Sequence, residues 1–325
     1  MEYRRFGRLG WQVSEIGCGM WGMVAWSGAD DARAAEALDE AVRLGCNFFD
    51  TAWAYAAGHS EQLLGELVRR HPPPGRRLYT ASKLPPKNQQ WPARPGVPLD
   101  DVYPPDHIRA FAEATLENLA LPKVDLLQFH VWSDEWARDD RWQRAMDDLK
   151  REGLIDGVGI SVNRWEPTNV VETLRTGLVD AVQVIYNVFD QNPEDELFPL
   201  CAELDVAVIA RVPFDEGSLT GTLTKESRWP EGDWRKLYFV PENLHPTVDR
   251  VEALRPLVPA GMTMPEMALR FILSEPRVST IIPGMSNPRH VRANIAASDG
   301  EGLPNDLREA LRAHRWDRTP TAWSH

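Results

Sequence analysis

The feature that most constrains this chain is a regular alternation of short β-rich runs with amphipathic stretches from one end to the other. Eight runs are rich in apolar and β-branched residues and predict strands, at 15–19, 47–52, 78–83, 124–130, 156–161, 181–187, 207–212 and 278–284. Strands that alternate with helices pair in parallel, and eight such units close most naturally into a (β/α)8 TIM barrel. The sequence therefore predicts an α/β barrel that occupies residues 1–325 as one domain.

Helices are predicted where apolar residues recur at a spacing of three and four. One such stripe contains Ile108, Phe111, Ala112, Thr115, Leu116 and Leu119, and another contains Trp142, Ala145, Met146 and Leu149. A doubly wound sheet is the alternative architecture. However, Gly17-Cys18-Gly19 is followed by Met20-Trp21-Gly22 and not by the GxGxxG fingerprint of that fold. Residues 1–10 and 11–14 predict an N-terminal β-hairpin that plugs one end of the barrel.

The composition limits the classes of partner. Apolar residues make up 43% and charged residues 26% of the chain, as in soluble globular proteins, and no uncharged apolar run is long enough to predict a membrane span. A net charge of −12 argues against nucleic acid or an anionic membrane as partner, although a local positive site could still bind an anionic cofactor. The N-terminus lacks the apolar core of a secretory signal. Because Cys18, Cys46 and Cys201 share no CxxC spacing, we expect reduced thiols, a cytoplasmic location and no metal site.

Two connections are much longer than ordinary βα loops. One, 84–105, is rich in proline, and the other, 213–245, contains Trp229, Trp234 and Tyr238. Both follow a predicted strand, so both are expected on the C-terminal face, where barrel enzymes hold their active sites. Long ordered loops there usually shape a substrate pocket, and mobile surface loops are the alternative.

Polar titratable residues stand at the carboxyl ends of three successive predicted strands. Asp50 ends the second strand with Tyr55 in the loop beyond it, Lys83 ends the third strand, and His130 ends the fourth. Taken singly, Asp50 could be a loop cap, Lys83 a solvated strand end and His130 a core histidine. Together they converge on one rim of the barrel, which is where barrel enzymes place catalytic residues.

These four residues suit proton transfer to a carbonyl oxygen. A tyrosine is a weak acid at neutral pH unless a neighbouring cation favours its phenolate. Lys83 can supply that cation, Asp50 can orient it, and His130 can hydrogen-bond the substrate oxygen. Reduction also needs a hydride, which no side chain provides, so a nicotinamide cofactor is predicted.

The same residues carry a resemblance to the aldo-keto reductase family that covers nearly the whole chain. Phe49-Asp50-Thr51-Ala52 with Tyr55, followed by Gly58-His59-Ser60-Glu61, is similar to the family's most recognisable motif, and residues 3–17 resemble its opening hairpin and first strand. The resemblance implies a catalytic tetrad of Asp50, Tyr55, Lys83 and His130. Some family members are channel subunits, and some of these lack the histidine, so His130 favours a working reductase.

The resemblance also implies an NADP(H) site along the same rim. The implied cofactor-binding residues are Met20, Trp21, Asp50, Ser161, Asn163, Gln183, Arg211, Val212, Pro213, Phe214, Gly217, Leu219, Gly221, Gly284, Ser286, Arg289, His290 and Asn294. Among them, Ser161 and Gln183 would contact the nicotinamide carboxamide, and the turn 217–221 would wrap the pyrophosphate. Asn287 can cap a helix that begins at Pro288, which creates an anion site. In the family this segment receives the adenosine 2′-phosphate, which favours NADP(H) over NAD(H).

Three positions depart from the family pattern. Val162 separates Ser161 from Asn163, whereas relatives usually carry asparagine or arginine directly after the serine. Ala293 stands where many relatives have a glutamate that contacts adenine. Arg211 stands where many relatives stack an aromatic residue on the nicotinamide. A guanidinium can itself stack on a π face, or it can contact the carboxamide or a bound anion.

Three functions remain open from the sequence. The first is NADP(H)-dependent interconversion of a small-molecule carbonyl and its alcohol, and the second is a nicotinamide-binding regulatory or partner subunit with little turnover. The third is a lyase or isomerase that uses Lys83 as a Schiff-base amine. Trp21, Trp53, Trp91 and Trp132 are candidate substrate-pocket residues, with core packing as the alternative for some.

Overall fold

The computed structural model describes residues 1–24, 29–72 and 74–324. The chain opens with the predicted hairpin, whose strands β1 (Tyr3–Phe6) and β2 (Trp11–Ser14) are antiparallel. Phe6 stacks on Trp11 with ring centroids 5.2 Å apart. Gly7, at φ +42°, lies so close to Ala207 that a Cβ would stand 2.6 Å from the Ala207 nitrogen. Because Ala207 is the first residue of a barrel strand, the hairpin closes the end of the barrel at which the strands begin.

Eight parallel strands form the barrel in sequence order. They are β3 (Cys18–Gly19), β4 (Phe48–Asp50), β5 (Tyr79–Leu84), β6 (Val124–Phe129), β7 (Ile155–Ser161), β8 (Ala181–Ile185), β9 (Ala207–Arg211) and β10 (Thr280–Ile281). Consecutive strands are neighbours in the sheet from β3 to β10. Parallel bridges from Ile16 to Ile281 and from Gly19 to Gly284 join the two ends of the sheet. The prediction of a (β/α)8 barrel is confirmed.

Helices connect and surround these strands. They are α1 (Asp31–Arg43), α2 (His59–Arg70), α3 (Leu99–Val102), α4 (Pro105–Leu119), α5 (Asp140–Arg151), α6 (Val171–Leu174), α7 (Leu197–Glu203), α8 (Arg235–Tyr238), α9 (Pro241–Leu254), α10 (Met264–Leu273), α11 (Pro288–Ala296) and α12 (Asn305–Arg312). α4 buries Ile108, Ala112, Thr115 and Leu119, which belong to the apolar stripe predicted from its sequence. Among the helices of the described ranges, none is long and apolar enough to cross a membrane.

Several barrel strands are shorter than predicted. β3 and β10 have two residues each, because the closing pair is joined by isolated bridges and not by a continuous ladder. β8 ends at Ile185, before the predicted end at Asn187. The Asn187 side chain accepts hydrogen bonds from the backbone N–H groups of Phe189 and Asp190, which turns the chain out of the sheet.

Both long loops have structure of their own. The loop after β5 contains α3, and the loop after β9 contains a 3-10 helix (Asp215–Thr220) and α8. Trp229 stacks on Phe239 at 5.1 Å, and Tyr238 packs against Trp323 of the C-terminal segment at 5.8 Å. A separate apolar cluster therefore supports the second loop over the barrel.

Candidate active site

Side chains at the C-terminal ends of β4, β5 and β6 meet on one rim of the barrel. Lys83 Nζ lies 2.6 Å from Asp50 Oδ2 and 5.2 Å from the centroid of the Tyr55 ring. The Tyr55 ring centroid is in turn 5.8 Å from that of the His130 imidazole, with the rings nearly perpendicular. Three adjacent parallel strands thus bring together the four residues that the sequence proposes as a tetrad.

The Asp50–Lys83 ion pair is buried and makes further hydrogen bonds. Lys83 Nζ also donates to the carbonyl oxygen of Thr51, 2.7 Å away. The second Asp50 oxygen accepts hydrogen bonds from the side-chain amides of Gln128 at 3.0 Å and Gln183 at 2.8 Å. These contacts hold the pair in one geometry. A Schiff-base role would require Lys83 to leave both of its acceptors, which argues against the lyase or isomerase hypothesis.

Burial determines the protonation of the two groups beside this pair. It raises the pKa of Tyr55, and the lowering effect of Lys83 and Arg211 does not offset it. The pKa of His130 lies well below its ordinary value, because burial disfavours the imidazolium and because Lys83 and Arg211 repel it. Near neutral pH the site therefore holds a protonated phenol and a neutral imidazole. The sequence predicts that Lys83 favours the Tyr55 phenolate, and Lys83 does lower the pKa of Tyr55, but burial raises that pKa by more.

Aromatic side chains surround Tyr55 and His130. The Trp21 ring lies 6.5 Å from the Tyr55 ring and 5.0 Å from the Trp234 ring, and Trp91 approaches His130 edge-on at 5.9 Å. Trp21 is 40% exposed, so this wall is open to a small molecule. The sequence pattern does not reveal Trp234 as part of the site, because the conformation of its long loop decides where it lies.

The other two candidate pocket tryptophans, Trp53 and Trp132, pack against other parts of the chain. Trp132 is completely buried and donates its indole N–H to the hydroxyl of Thr173 at 2.8 Å. Trp53 packs edge-on against Phe111 of α4 with ring centroids 4.7 Å apart. Trp132 is therefore a core residue, as the alternative interpretation of its sequence position allows.

The residues predicted to contact the nicotinamide occupy the next positions around the rim. Ser161 ends β7 and is the register partner of Gln183 in β8. Gln183 donates its amide to Asp50, which links this part of the rim to the tetrad. The Met20 backbone N–H donates to the Asp50 carbonyl at 3.0 Å and places Trp21 beside them. Asn163 differs, because its side chain is used in hydrogen bonds to three neighbouring loop residues.

Arg211 ends β9 and lies within electrostatic reach of the tetrad. Its Nη2 donates to the carbonyl of Val162 at 3.0 Å, whereas its buried Nε has no partner among the described residues. Burial and the neighbouring Arg164 lower the pKa of Arg211 to about 10, which leaves it charged at neutral pH. The same guanidinium contributes to the low pKa of His130 and opposes the rise in the pKa of Tyr55 that burial causes, so it interacts with both groups.

A compact turn follows Arg211. It contains the predicted cofactor residues Val212, Pro213, Phe214, Gly217, Leu219 and Gly221. Leu219 is fully buried and anchors the turn in the core, whereas a Cβ on Gly217 would meet no atom within 4 Å. The turn therefore presents an open backbone surface toward its outer side.

The helix α11 lies beyond this turn, after β10. Asn287 caps it by accepting a hydrogen bond from the His290 backbone N–H at 3.0 Å. Arg289 and His290 are exposed, and the Arg289 side chain makes no ion pair or hydrogen bond with any residue that the structure describes. The remaining predicted residues of this segment, Gly284, Ser286 and Asn294, lie close by, with Asn294 Nδ2 3.5 Å from the Gly284 carbonyl. Burial and the neighbouring Arg289 lower the pKa of His290, so Arg289 is the cation beside this capped helix start, an arrangement that suits an anion.

Comparison with known proteins identifies the family. The model of the aldo/keto reductase family matches residues 15–314. The chain belongs to the aldo-keto reductase family. It is 29% identical to an NADH-specific methylglyoxal reductase of Escherichia coli (strain K12), over 92% of this chain and 96% of that protein. It is 27% identical to a probable voltage-gated potassium channel subunit beta of Oryza sativa subsp. japonica, over 92% of each chain.

A solved structure supports the same assignment. The fold matches a holo-form aldo-keto reductase of Bacillus halodurans with a TM-score of 0.77 and 26% identity, and the match covers 100% of both chains. The protein is thus an oxidoreductase of a family that uses nicotinamide cofactors and acts on small carbonyl compounds.

Proposed function

We propose that this aldo-keto reductase interconverts a small carbonyl compound and its alcohol with NADP(H), and that Tyr55 transfers the proton. One observation carries the proposal. The Tyr55 ring lies 5.2 Å from Lys83 Nζ, next to the buried Asp50–Lys83 pair and beside a neutral His130. A phenol with a cation on one side and a hydrogen-bonding imidazole on the other is equipped to protonate a carbonyl oxygen.

Each tetrad side chain has its own task in this proposal. The raised pKa keeps Tyr55 protonated until a substrate oxygen accepts its proton. Lys83 then stabilises the phenolate, and Asp50 keeps Lys83 in position. His130, which is neutral, can donate a hydrogen bond to the same substrate oxygen and orient the carbonyl.

The rim residues fit a nicotinamide dinucleotide. Arg211 Nε is buried and has no partner among the described residues, Gly217 faces open space, and α11 has a capped start next to the exposed Arg289. We assign Ser161, Gln183 and Arg211 to the nicotinamide end and the turn 217–221 to the pyrophosphate. The bound cofactor supplies the hydride that no side chain can supply.

The segment at the start of α11 supports NADP(H) over NAD(H). Arg289 is exposed and without a described partner, and Ser286 and His290 are its neighbours in sequence. A phosphate at this position would receive charge-assisted hydrogen bonds together with the favourable helix dipole. The Escherichia coli relative is named as NADH-specific, so membership of the family does not decide the cofactor, and Arg289 carries this part of the proposal.

The substitution Tyr55→Phe tests the proton donor because it removes only a hydroxyl. Turnover should fall by about 10²-fold or more, and NADPH binding should remain nearly intact. Tyr3→Phe is the matched control, since it removes a hydroxyl that bonds to Gly45 at the opposite end of the barrel. It should change neither quantity. Unchanged turnover in Tyr55→Phe would remove Tyr55 from the mechanism.

A regulatory or partner subunit with little turnover is the second candidate, and the similarity to the rice channel subunit favours it. It predicts nicotinamide binding without turnover on a broad panel of aldehydes, ketones and sugars. The contact between Tyr55 and a neutral His130 supports the enzymatic proposal, because binding alone would need neither group in this arrangement.

A further inference from the structure

The segment after β9 has a strained backbone. Val212, Asp215 and Glu216 have φ angles of +55°, +44° and +56°, in the left-handed region that non-glycine residues rarely occupy. Gly217 follows at +99°. A β-branched residue such as Val212 is especially unfavourable there. Such strain persists only where surrounding contacts hold it, and it is concentrated at ligand clamps and active sites.

Two ion pairs from other parts of the chain hold this segment. Arg164 pairs with Glu216 at 2.5 Å. Arg318 Nη2 lies 2.7 Å from Asp215 Oδ1, and the Ser218 hydroxyl donates to the other Asp215 oxygen at 2.7 Å. The Arg318 and Asp215 side chains are 3% and 2% exposed, so solvent does not screen their contact. Asp215 therefore connects Arg318 directly to the turn 217–221.

Arg318 belongs to the C-terminal segment and is itself fixed on several sides. Its Nε donates to Asp190 at 3.1 Å, and its guanidinium lies 4.6 and 4.7 Å from the ring centroids of Trp165 and Trp316. Asp190 follows β8 and Asp215 follows β9, so Arg318 joins the ends of two adjacent strands. In the sequence, Arg318 lies 128 residues from Asp190 and 103 residues from Asp215.

We infer that Arg318 is a positioning residue for the cofactor, which through Asp215 and Ser218 holds the turn 217–221 in the conformation that receives the pyrophosphate. This inference rests on the proposed function, which assigns that turn to a dinucleotide. Without Arg318, the strained segment relaxes into other conformations. If one tenth of the molecules then present the turn correctly, the apparent cofactor dissociation constant rises about tenfold. Tyr55 stands in the loop after β4, and it keeps its geometry.

The test compares Arg318→Met with Arg315→Ala in the full chain. Arg315 lies in the same segment, but its partners Asp195 and Asp317 are at the surface. NADPH is titrated by fluorescence, its release is followed by stopped flow, and the substrate KM is measured at saturating NADPH. Arg318→Met should raise the NADPH dissociation constant about tenfold or more and accelerate release, with the substrate KM nearly unchanged.

Two further variants sharpen the comparison. Arg315→Ala should match the unmodified protein in all three measurements. Arg318→Lys keeps the charge but cannot bind two carboxylates as a planar fork. Its NADPH dissociation constant should therefore lie between those of the unmodified protein and of Arg318→Met. A merely structural role for Arg318 would lower the melting temperature without this selective loss of cofactor affinity.

The outcomes separate this inference from the proposed function. An unchanged NADPH dissociation constant in Arg318→Met overturns the inference alone. Failure of the unmodified protein to bind NADPH or NADH overturns the proposed function. If circular dichroism shows that Arg318→Met does not fold, Asp215→Asn replaces it, because it leaves Arg318 paired with Asp190. Asp215→Asn should raise the same dissociation constant, and an unchanged value overturns the inference.

Discussion

The substitution Asp50→Asn measures how much the buried ion pair contributes to the protein. The Asp50 carboxylate accepts from three donors, Lys83 at 2.6 Å, Gln128 at 3.0 Å and Gln183 at 2.8 Å. An asparagine keeps one acceptor oxygen and turns an amide donor toward the same group, so at least one buried donor loses its partner. The Lys83 and Asp50 side chains are 1% and 3% exposed. Removing one charge of such a pair should cost about 3–5 kcal/mol of unfolding free energy.

Urea unfolding measures this loss against a matched control. Asp156→Asn removes the carboxylate of another lysine–aspartate pair, with Lys123 at 2.7 Å, in which the side chains are 33% and 34% exposed. That pair is partly solvated, so its loss should cost less than about 1 kcal/mol. Turnover should fall only in Asp50→Asn, because Lys83 loses the group that orients it. Equal losses of stability in the two variants would refute the argument that burial determines the contribution of Asp50.

Three further predictions concern neighbouring groups. Since the pKa of folded His130 is depressed, the unfolded chain binds more protons below about pH 6.5, and this group lowers the unfolding free energy by at most about 1.4 kcal/mol per pH unit of acidification. His130→Gln should reduce the fall in unfolding free energy between pH 7.5 and pH 5. Identical pH profiles of urea unfolding for the two proteins would contradict this prediction. Replacing Arg289 and His290 with alanine should erode the preference for NADPH over NADH by about 1.5–3 kcal/mol per charged hydrogen bond lost. Equal dissociation constants in the unmodified protein would exclude the preference. Arg211→Ala should weaken both NADPH and NADP⁺ in fluorescence titrations, whereas a higher KM for anionic substrates with unaltered cofactor affinity would make Arg211 a substrate anchor.

The barrel and the meeting of the tetrad residues follow from short-range patterns. Each strand is a β-rich run bounded by helical spacing, and parallel strands leave their carboxyl ends on one rim. Asp50, Lys83 and His130 lie at or next to the ends of consecutive strands, so their proximity requires only the order of the strands and not their exact lengths. The closing strands are less predictable, because a pair joined by isolated bridges has little sequence pattern beyond its few paired residues.

The loops over the site are the part that the sequence does not predict. Arg318, Asp190 and Asp215 are far apart in the chain and have no periodic pattern, so nothing local indicates that they form one buried cluster. The position of Trp234 beside Trp21 likewise depends on how a long loop packs. Local propensity determines strands and helices, whereas the contacts between loops depend on tertiary packing that only the complete fold specifies.

We expect Arg211 to take a role that an aromatic residue could not, because of its charge. Lys83 and Arg164 each have a carboxylate partner, at 2.6 and 2.5 Å, whereas Arg211 makes no ion pair with any carboxylate in the described part of the chain. A buried cation stabilises nearby negative charge more strongly than it would in solution. In the proposed reduction that charge develops on the carbonyl oxygen and then on the Tyr55 phenolate, and Arg211 already opposes the rise in the pKa of Tyr55 that burial causes. An aromatic side chain could stack on the nicotinamide but could not add this stabilisation, so we expect Arg211 to influence proton transfer as well as cofactor binding.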